Sequence, residues 1–110
     1  MQTRLDQLKE FLKESPQDPF LKYALTMEYV KTQDNKLALV GFEDLVAEHA
    51  DYVGTYYHFG KFLEGQGEKD KAIEIYEKGI AVAQSKRNFH ALGELKNALL
   101  MAQGLLDEDE

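Results

Sequence analysis

Three histidines, His49, His58 and His90, two serines and a large set of carboxylates are the residues of this 110-residue chain that could bind a metal or act as acid, base or nucleophile. The histidines show none of the i, i+4 or His-x-Glu spacing that puts metal ligands on one helical face, so no metal site is expected. Ser15 and Ser85 fall in breaks between periodic segments without a nucleophile-elbow context, and read as turn or cap residues. Gly65-Gln66-Gly67 lacks the Lys-Ser/Thr of a phosphate loop and precedes Glu68-Lys69-Asp70, whose charge would repel phosphate. With no cysteine, thiolate zinc sites, redox pairs and disulfide scaffolds are excluded. No catalytic constellation can be assembled, so neither an enzyme nor a cofactor is expected.

The elements that would position any binding residues are helical. At 44% apolar and 11% aromatic, with only two prolines, the chain can bury a core and build long helices. Six stretches show apolar residues at helical spacing, and no strand-like alternation competes with them. The first, from about Thr3 to Glu14, carries Leu5, Leu8, Phe11 and Leu12 and stops at Ser15-Pro16. Asp18-Pro19 opens the second, which carries Phe20, Tyr23, Ala24, Met27 and Val30. The third carries Leu37, Leu39 or Val40, Phe42, Leu45 and Val46; the fourth carries Tyr56, Tyr57, Phe59, Gly60, Phe62 and Leu63. After the Gly65-Gln66-Gly67 break, the fifth carries Ala72, Ile73, Ile75, Tyr76, Ile80 and Ala83. The sixth, about Arg87 to Gln103, carries Phe89, Leu92, Leu95, Leu99 and Ala102. No apolar run is long enough for a membrane span or a signal peptide, so a cytoplasmic protein is expected.

The chain also repeats itself. A shift of 34 lays Tyr23 on Tyr57, Ala38 on Ala72, Glu43 on Glu77 and Ala47 on Ala81, with Phe42 on Tyr76 and Val46 on Ile80 as conservative matches. A further shift of 33 lays Phe89-x-x-Leu92-Gly93 on Tyr56-x-x-Phe59-Gly60. Tyr56, Phe59-Gly60, Leu63, Gly67-Glu68, Ala72, Tyr76, Gly79 and Ile80 together resemble the tetratricopeptide (TPR) repeat. Small Gly60 and Ala72 suit places where two helices approach closely, with aromatic rings filling the space beside them. Residues 19–50 fit less closely, because Lys22 stands for the usual aromatic and Leu45 for a small residue.

The resemblance implies an all-α, right-handed superhelix of antiparallel hairpins within one domain, 1–106. Its parts are a half repeat at 1–16, repeats at 19–50 and 53–84, a capping helix at 87–103 and an acidic tail at 107–110. Each hairpin leaves an apolar face, so neighbours must stack and the half repeats are expected to seal the ends of a stand-alone protein. The chain resembles small stand-alone bacterial TPR proteins.

In that family the first helices of successive repeats line a groove that grips a short peptide or partner helix. Carried onto this chain, the groove positions are Tyr23 and Met27, then Tyr57 and Lys61, then Arg87, His90 and Glu94. Phe20, Lys31, Glu64 and Asn97 fall on the same stripes. Tyr23, Tyr57 and His90 occupy equivalent places and would form a ladder; the other reading is that the tyrosines pack between helices. TPR domains that clamp acidic chaperone tails carry Lys, Asn, Asn, Lys and Arg at five positions, where this chain has Tyr23, Met27, His58, Arg87 and Ala91. The expected ligand is therefore more apolar, and the expected function is that of a protein-binding adaptor.

A different reading starts from the sixth helix. It holds more leucines than one apolar stripe needs, so Leu95, Leu99 and Leu106 are expected to cover the fifth helix while Leu100 or Met101 stays exposed for self-association, as in a two-fold homodimer. The net charge of −7 disfavours nucleic acid. Four of the negative charges lie at 107–110, which leaves residues 1–106 at −3.

Overall fold

The computed structural model describes residues 2–105 and shows six α-helices and no strand among them. They are α1 (Arg4–Glu14), α2 (Pro19–Lys31), α3 (Asn35–Glu48), α4 (Gly54–Gly65), α5 (Lys69–Ser85) and α6 (Phe89–Ala102). The expected tail at 107–110 and Leu106 lie outside the described residues. The chain forms two compact units that meet in sequence between Tyr52 and Val53, α1–α3 in the first and α4–α6 in the second.

Local chemistry sets the helix ends. Thr3 and Asp6 form a reciprocal capping box on α1, and Asp18 accepts from the Phe20 and Leu21 amides ahead of α2, with Pro19 at the first helical position. Asp34 and Asn88 cap α3 and α6 through the amides of Leu37 and Ala91. Four helices end alike: α2, α4, α5 and α6 each close with an amide bonded back to the carbonyl five residues earlier, as in Glu68 to Leu63 at 2.8 Å and Asn88 to Ala83 at 2.9 Å. The residue before each of those amides is left-handed. Two are glycines, Gly67 and Gly104, but the others are Gln33 (φ 62°) and Arg87 (φ 56°), where a Cβ makes the conformation cost about 1–2 kcal/mol.

In the second unit, α4 and α5 pack by matching an absent side chain with a large one in both directions. Gly60 on α4 receives the Tyr76 ring, and Gly79 on α5 receives Tyr56, whose Cβ lies 2.5 Å from where a Cβ of residue 79 would stand. Tyr56, Phe59, Leu63, Ala72, Tyr76 and Ala83 are buried as a result. Helix α6 packs on α5 and α4, burying Leu95, Ala98 and Ala102.

The first unit solves the same geometry with different residues. Thr26 occupies the place of Gly60, and its hydroxyl donates to the Lys22 carbonyl at 2.8 Å. Room for it comes from Gly41 on the facing α3, where a Cβ would overlap the Thr26 side chain. Lys22, in the place of Tyr56, has a half-buried stem and an ammonium 3.0 Å from Asp44, while Leu45 fills the volume that the missing ring leaves. Leu8 is the buried residue that α1 contributes against α2.

Several apolar residues expected on packing faces are exposed. Phe11 (55%), Phe20, Leu37 and Val40 face solvent, and Leu39 is the half-buried alternative to Val40. Phe89 is 70% exposed although its counterpart Tyr56 is buried, because Tyr56 is covered by Gly79 of its own hairpin and no following helix is described after α6. Arg87 is not part of the sixth helix: it is the left-handed residue after α5, and α6 begins at Phe89.

Glycine substitutions separate packing from helix propensity. Gly60→Ala and Gly41→Ala should each lower unfolding free energy by about 1–3 kcal/mol, since buried neighbours must shift. Gly93→Ala, with nothing within 4 Å of its Cβ, should raise it by about 0.5–1 kcal/mol. Urea titrations of the three variants measure both signs.

Candidate functional site

Two helical stripes bound a cleft in the second unit. Helix α4 presents Tyr57, Lys61 and Glu64 at i, i+4 and i+7, and α6 presents His90, Glu94, Asn97 and Met101 at i, i+4, i+7 and i+11. A cleft of about 210 Å³ lies between them, lined by Tyr57, Lys61, Glu94, Asn97, Ala98 and Met101.

Its electrostatics begin in the core. The buried Tyr76 ring ends in a hydroxyl that donates to Glu64 on α4. Burial, and then this bond and the Glu64 charge, push the Tyr76 hydroxyl well above its ordinary pKa of 10.0. Glu64 lies 3.9 Å from the Lys61 ammonium, which stands 5.6 Å from the centre of the Tyr57 ring. For a cation as exposed as Lys61, that placement is worth about 0.5–1 kcal/mol. The Tyr57 ring also meets the His58 imidazole edge-on at 5.3 Å. Lys61 is thus positioned at the cleft wall by a ring on one side and a carboxylate anchored to the core on the other.

The opposite wall is acidic and amide-bearing. Glu94 lies 3.7 Å from the His90 imidazole, which is 88% exposed. Burial lowers the His58 pKa from 6.5, with the nearby Glu94 charge acting in the opposite sense. The Asn97 amide makes a long contact to the Met101 sulfur at 3.8 Å, so most of its bonding capacity faces outward. A cation, an anion, an amide and a ring edge within one cleft suit a polar backbone with one or two side chains. Among the described residues no group of three His, Asp or Glu could hold a metal ion.

The structure brings together Tyr57, Lys61 and Glu94 from the expected groove positions. His90 stands at the solvent edge of the Glu94 wall, and Arg87 lies in the turn before α6. Met101, read from sequence as a self-association residue, is half-buried and lines the cleft, whereas Leu100 beside it is 38% exposed. The spacing held the signal, since Met101 is one turn beyond Asn97 on the same stripe. In the first unit Tyr23 packs on Tyr52 with ring centres 5.7 Å apart, and Met27 is half-buried. Burial, and secondarily Tyr52, raise the Tyr23 pKa.

No protein-family model and no curated protein matches the chain. Solved structures do. A tetratricopeptide repeat domain protein from Salinibacter ruber, known as a crystal structure, is 46% identical over 81% of this chain and all of its own, with a TM-score of 0.76. A solution structure of a tetratricopeptide repeat domain protein from the same organism is 45% identical over 84% of this chain and 94% of its own, TM-score 0.79. A Bordetella parapertussis protein in solution is 25% identical over 94% of this chain and 90% of its own, also at 0.79.

His58 and Tyr76, the shifted groups of the second unit, set a pH window for stability. His58 favours its neutral form in the fold, so its contribution is present above 6.5 and is lost as pH falls below it. Tyr76 also favours its neutral form, so its contribution is present below 10.0 and is lost as pH rises above it. Stability should therefore plateau between these limits. In thermal melts across pH, His58→Gln should make the acid limb shallower and Tyr76→Phe the alkaline limb, where Tyr23 and Tyr52, also raised, supply the remaining slope; the Phe ring is the one that Phe42 supplies at the equivalent place.

Proposed function

Because the chain belongs to the tetratricopeptide repeat family, we propose that it is a non-enzymatic adaptor whose α4–α6 cleft receives a short peptide or partner helix. The fold implies a protein partner, and the observation supporting the cleft as its place is the fixed Tyr57–Lys61 pair opposite Glu94 and Asn97. Tyr57 supplies a large face with little rotamer entropy to lose, and Lys61 a charge-assisted donor for a carboxylate or carbonyl. Asn97 can donate to and accept from a peptide backbone. Tyr23 and Met27 on α2 carry the equivalent stripe of the first repeat. The cytoplasm is the location that suits this role, and no described helix is long and apolar enough to cross a membrane.

A second reading, self-association through α6, is favoured by one observation. Phe89 and Leu100 are exposed on the side of α6 away from buried Leu95, Ala98 and Ala102.

The adaptor reading is tested by capturing partners from a native lysate with wild type and with Tyr57→Ala/Lys61→Ala. The variant should lose bound protein about thirtyfold, the scale of a binding hot spot, while its helical spectrum and melting stay close to wild type. Unchanged capture would overturn the reading, and unfolding of the variant would assign the pair to the core.

A further inference from the structure

The charges along the α4–α6 cleft do not cancel, and the remainder is negative. Lys61 is already shared between the Glu64 carboxylate, 3.9 Å away, and the Tyr57 ring, whose centre lies at 5.6 Å. Glu64 is fixed in turn by the Tyr76 hydroxyl. The group paired with Glu94 on the opposite wall is different in kind. It is the His90 imidazole, 3.7 Å away and 88% exposed, which carries charge only when protonated. The half-buried His58 on α4 registers the difference: burial lowers its pKa, and the Glu94 charge opposes this by favouring the proton. Lys61 and Glu64 balance one another, which leaves Glu94 as the unmatched charge of the cleft. An incoming carboxylate would compete with Glu64 for Lys61 and approach Glu94 as well; an incoming cation meets neither obstacle at Glu94. Resting on the reading of this cleft as a peptide site, we propose that it receives one arginine side chain of the partner, with the guanidinium on Glu94 and Asn97 and the stem against Ala98 and Met101.

Size and acceptor geometry both select arginine. At about 210 Å³ the cleft is smaller than the ~300–1,000 Å³ sites that enclose whole small ligands, so it has room for one long side chain. Glu94 and Asn97 stand about one helical turn apart on α6, at i and i+3. The Asn97 amide nitrogen is turned to the Met101 sulfur at 3.8 Å, which leaves its oxygen as an acceptor. A carboxylate beside an amide oxygen matches the planar fork of a guanidinium. A lysine ammonium, a compact and strongly hydrated charge, would use less of that geometry. Ala98 and Met101 make the rest of the lining apolar, which suits the methylene stem of an arginine, and a thioether adapts its shape to it. Lys61, held on the α4 wall, then serves a carbonyl of the ligand backbone and not a carboxylate.

Randomised linear peptides selected on the intact chain test this directly. The selected sequences should carry arginine at one fixed position. Citrulline keeps the shape of that arginine and removes its charge. In calorimetric titrations the exchange should weaken binding about tenfold, the scale of a hydrogen bond to a charged group. On a Glu94→Gln chain the gap between the arginine and citrulline peptides should shrink to about twofold, since such a cycle isolates the pair. The Glu94 side chain is 51% exposed, so this substitution leaves the packed core intact. Asn97→Asp should tighten the arginine peptide several-fold and leave the citrulline peptide near its starting affinity, a gain that damage to the fold cannot mimic.

Two kinds of failure are distinct. Some peptides could bind wild type and lose binding to Tyr57→Ala/Lys61→Ala, yet carry no fixed arginine or keep the full citrulline gap on the Glu94→Gln chain. That result overturns the arginine site while the cleft remains a peptide site. Peptides that bind wild type and Tyr57→Ala/Lys61→Ala alike, or a library that yields no binder, overturn both.

Discussion

The close approach of the two helices of each hairpin is the constraint on which the rest depends. Side chains must be removed where the helices cross and volume restored beside the crossing, because an interior gap forfeits dispersion contacts and an overlap forces strain. The α4–α5 hairpin meets this with glycines at 60 and 79 and tyrosines at 76 and 56. The α2–α3 hairpin meets it with one glycine at 41, a threonine at 26, and the pair Lys22 and Leu45 in place of ring and glycine. Neither set is interpretable one residue at a time. Lys22 is acceptable because Leu45 is large and Asp44 is near; Thr26 is acceptable because Gly41 has no side chain.

The same packing reaches the surface. Tyr76 is held by the absence of a side chain at Gly60, and its hydroxyl then comes to Glu64 on the cleft side of α4. Glu64 and the Tyr57 ring flank Lys61. A core requirement and a surface charge are therefore linked through four residues on two helices. The α4 wall of the cleft is tied to the core in this way. The α6 wall, with exposed His90 and a weakly engaged Asn97, has more freedom to adapt.

Most of the fold was legible in the sequence because its signals are local and repeated. The cap at Asp18, the breaks at Ser15-Pro16 and Gly67 and the 34-residue period each depend on neighbours in sequence. The misplacements have a common origin. Phe11, Phe20, Val40 and Phe89 fit a helical stripe, but a stripe shows periodicity and not whether a partner helix covers it. Arg87 was read as helical because arginine gives no stop signal, whereas the backbone closure after α5 takes it into the left-handed region. In the candidate site, Tyr57, Lys61 and Glu94 followed from repeat alignment, while Met101 was drawn away by its position among leucines. The compensation of Thr26 by Gly41 was hidden, since it joins two departures from the repeat fifteen residues apart that look unrelated until the helices are paired.

That compensation bears on how the chain avoids folding incorrectly. Chains built from similar repeats risk pairing a helix with the wrong sibling. Here an α2–α5 hairpin would set Ile75, the counterpart of Gly41, against Thr26, leave a gap between Lys22 and Gly79, and exchange Asp44 for Lys78 beside Lys22. An α4–α3 hairpin would press Tyr56 onto Leu45. Each repeat thus carries a private code of sizes and charges that its own partner satisfies and its sibling violates, a discrimination made by repulsion as much as attraction. The departures of the first repeat from the family pattern serve, in this light, as proofreading.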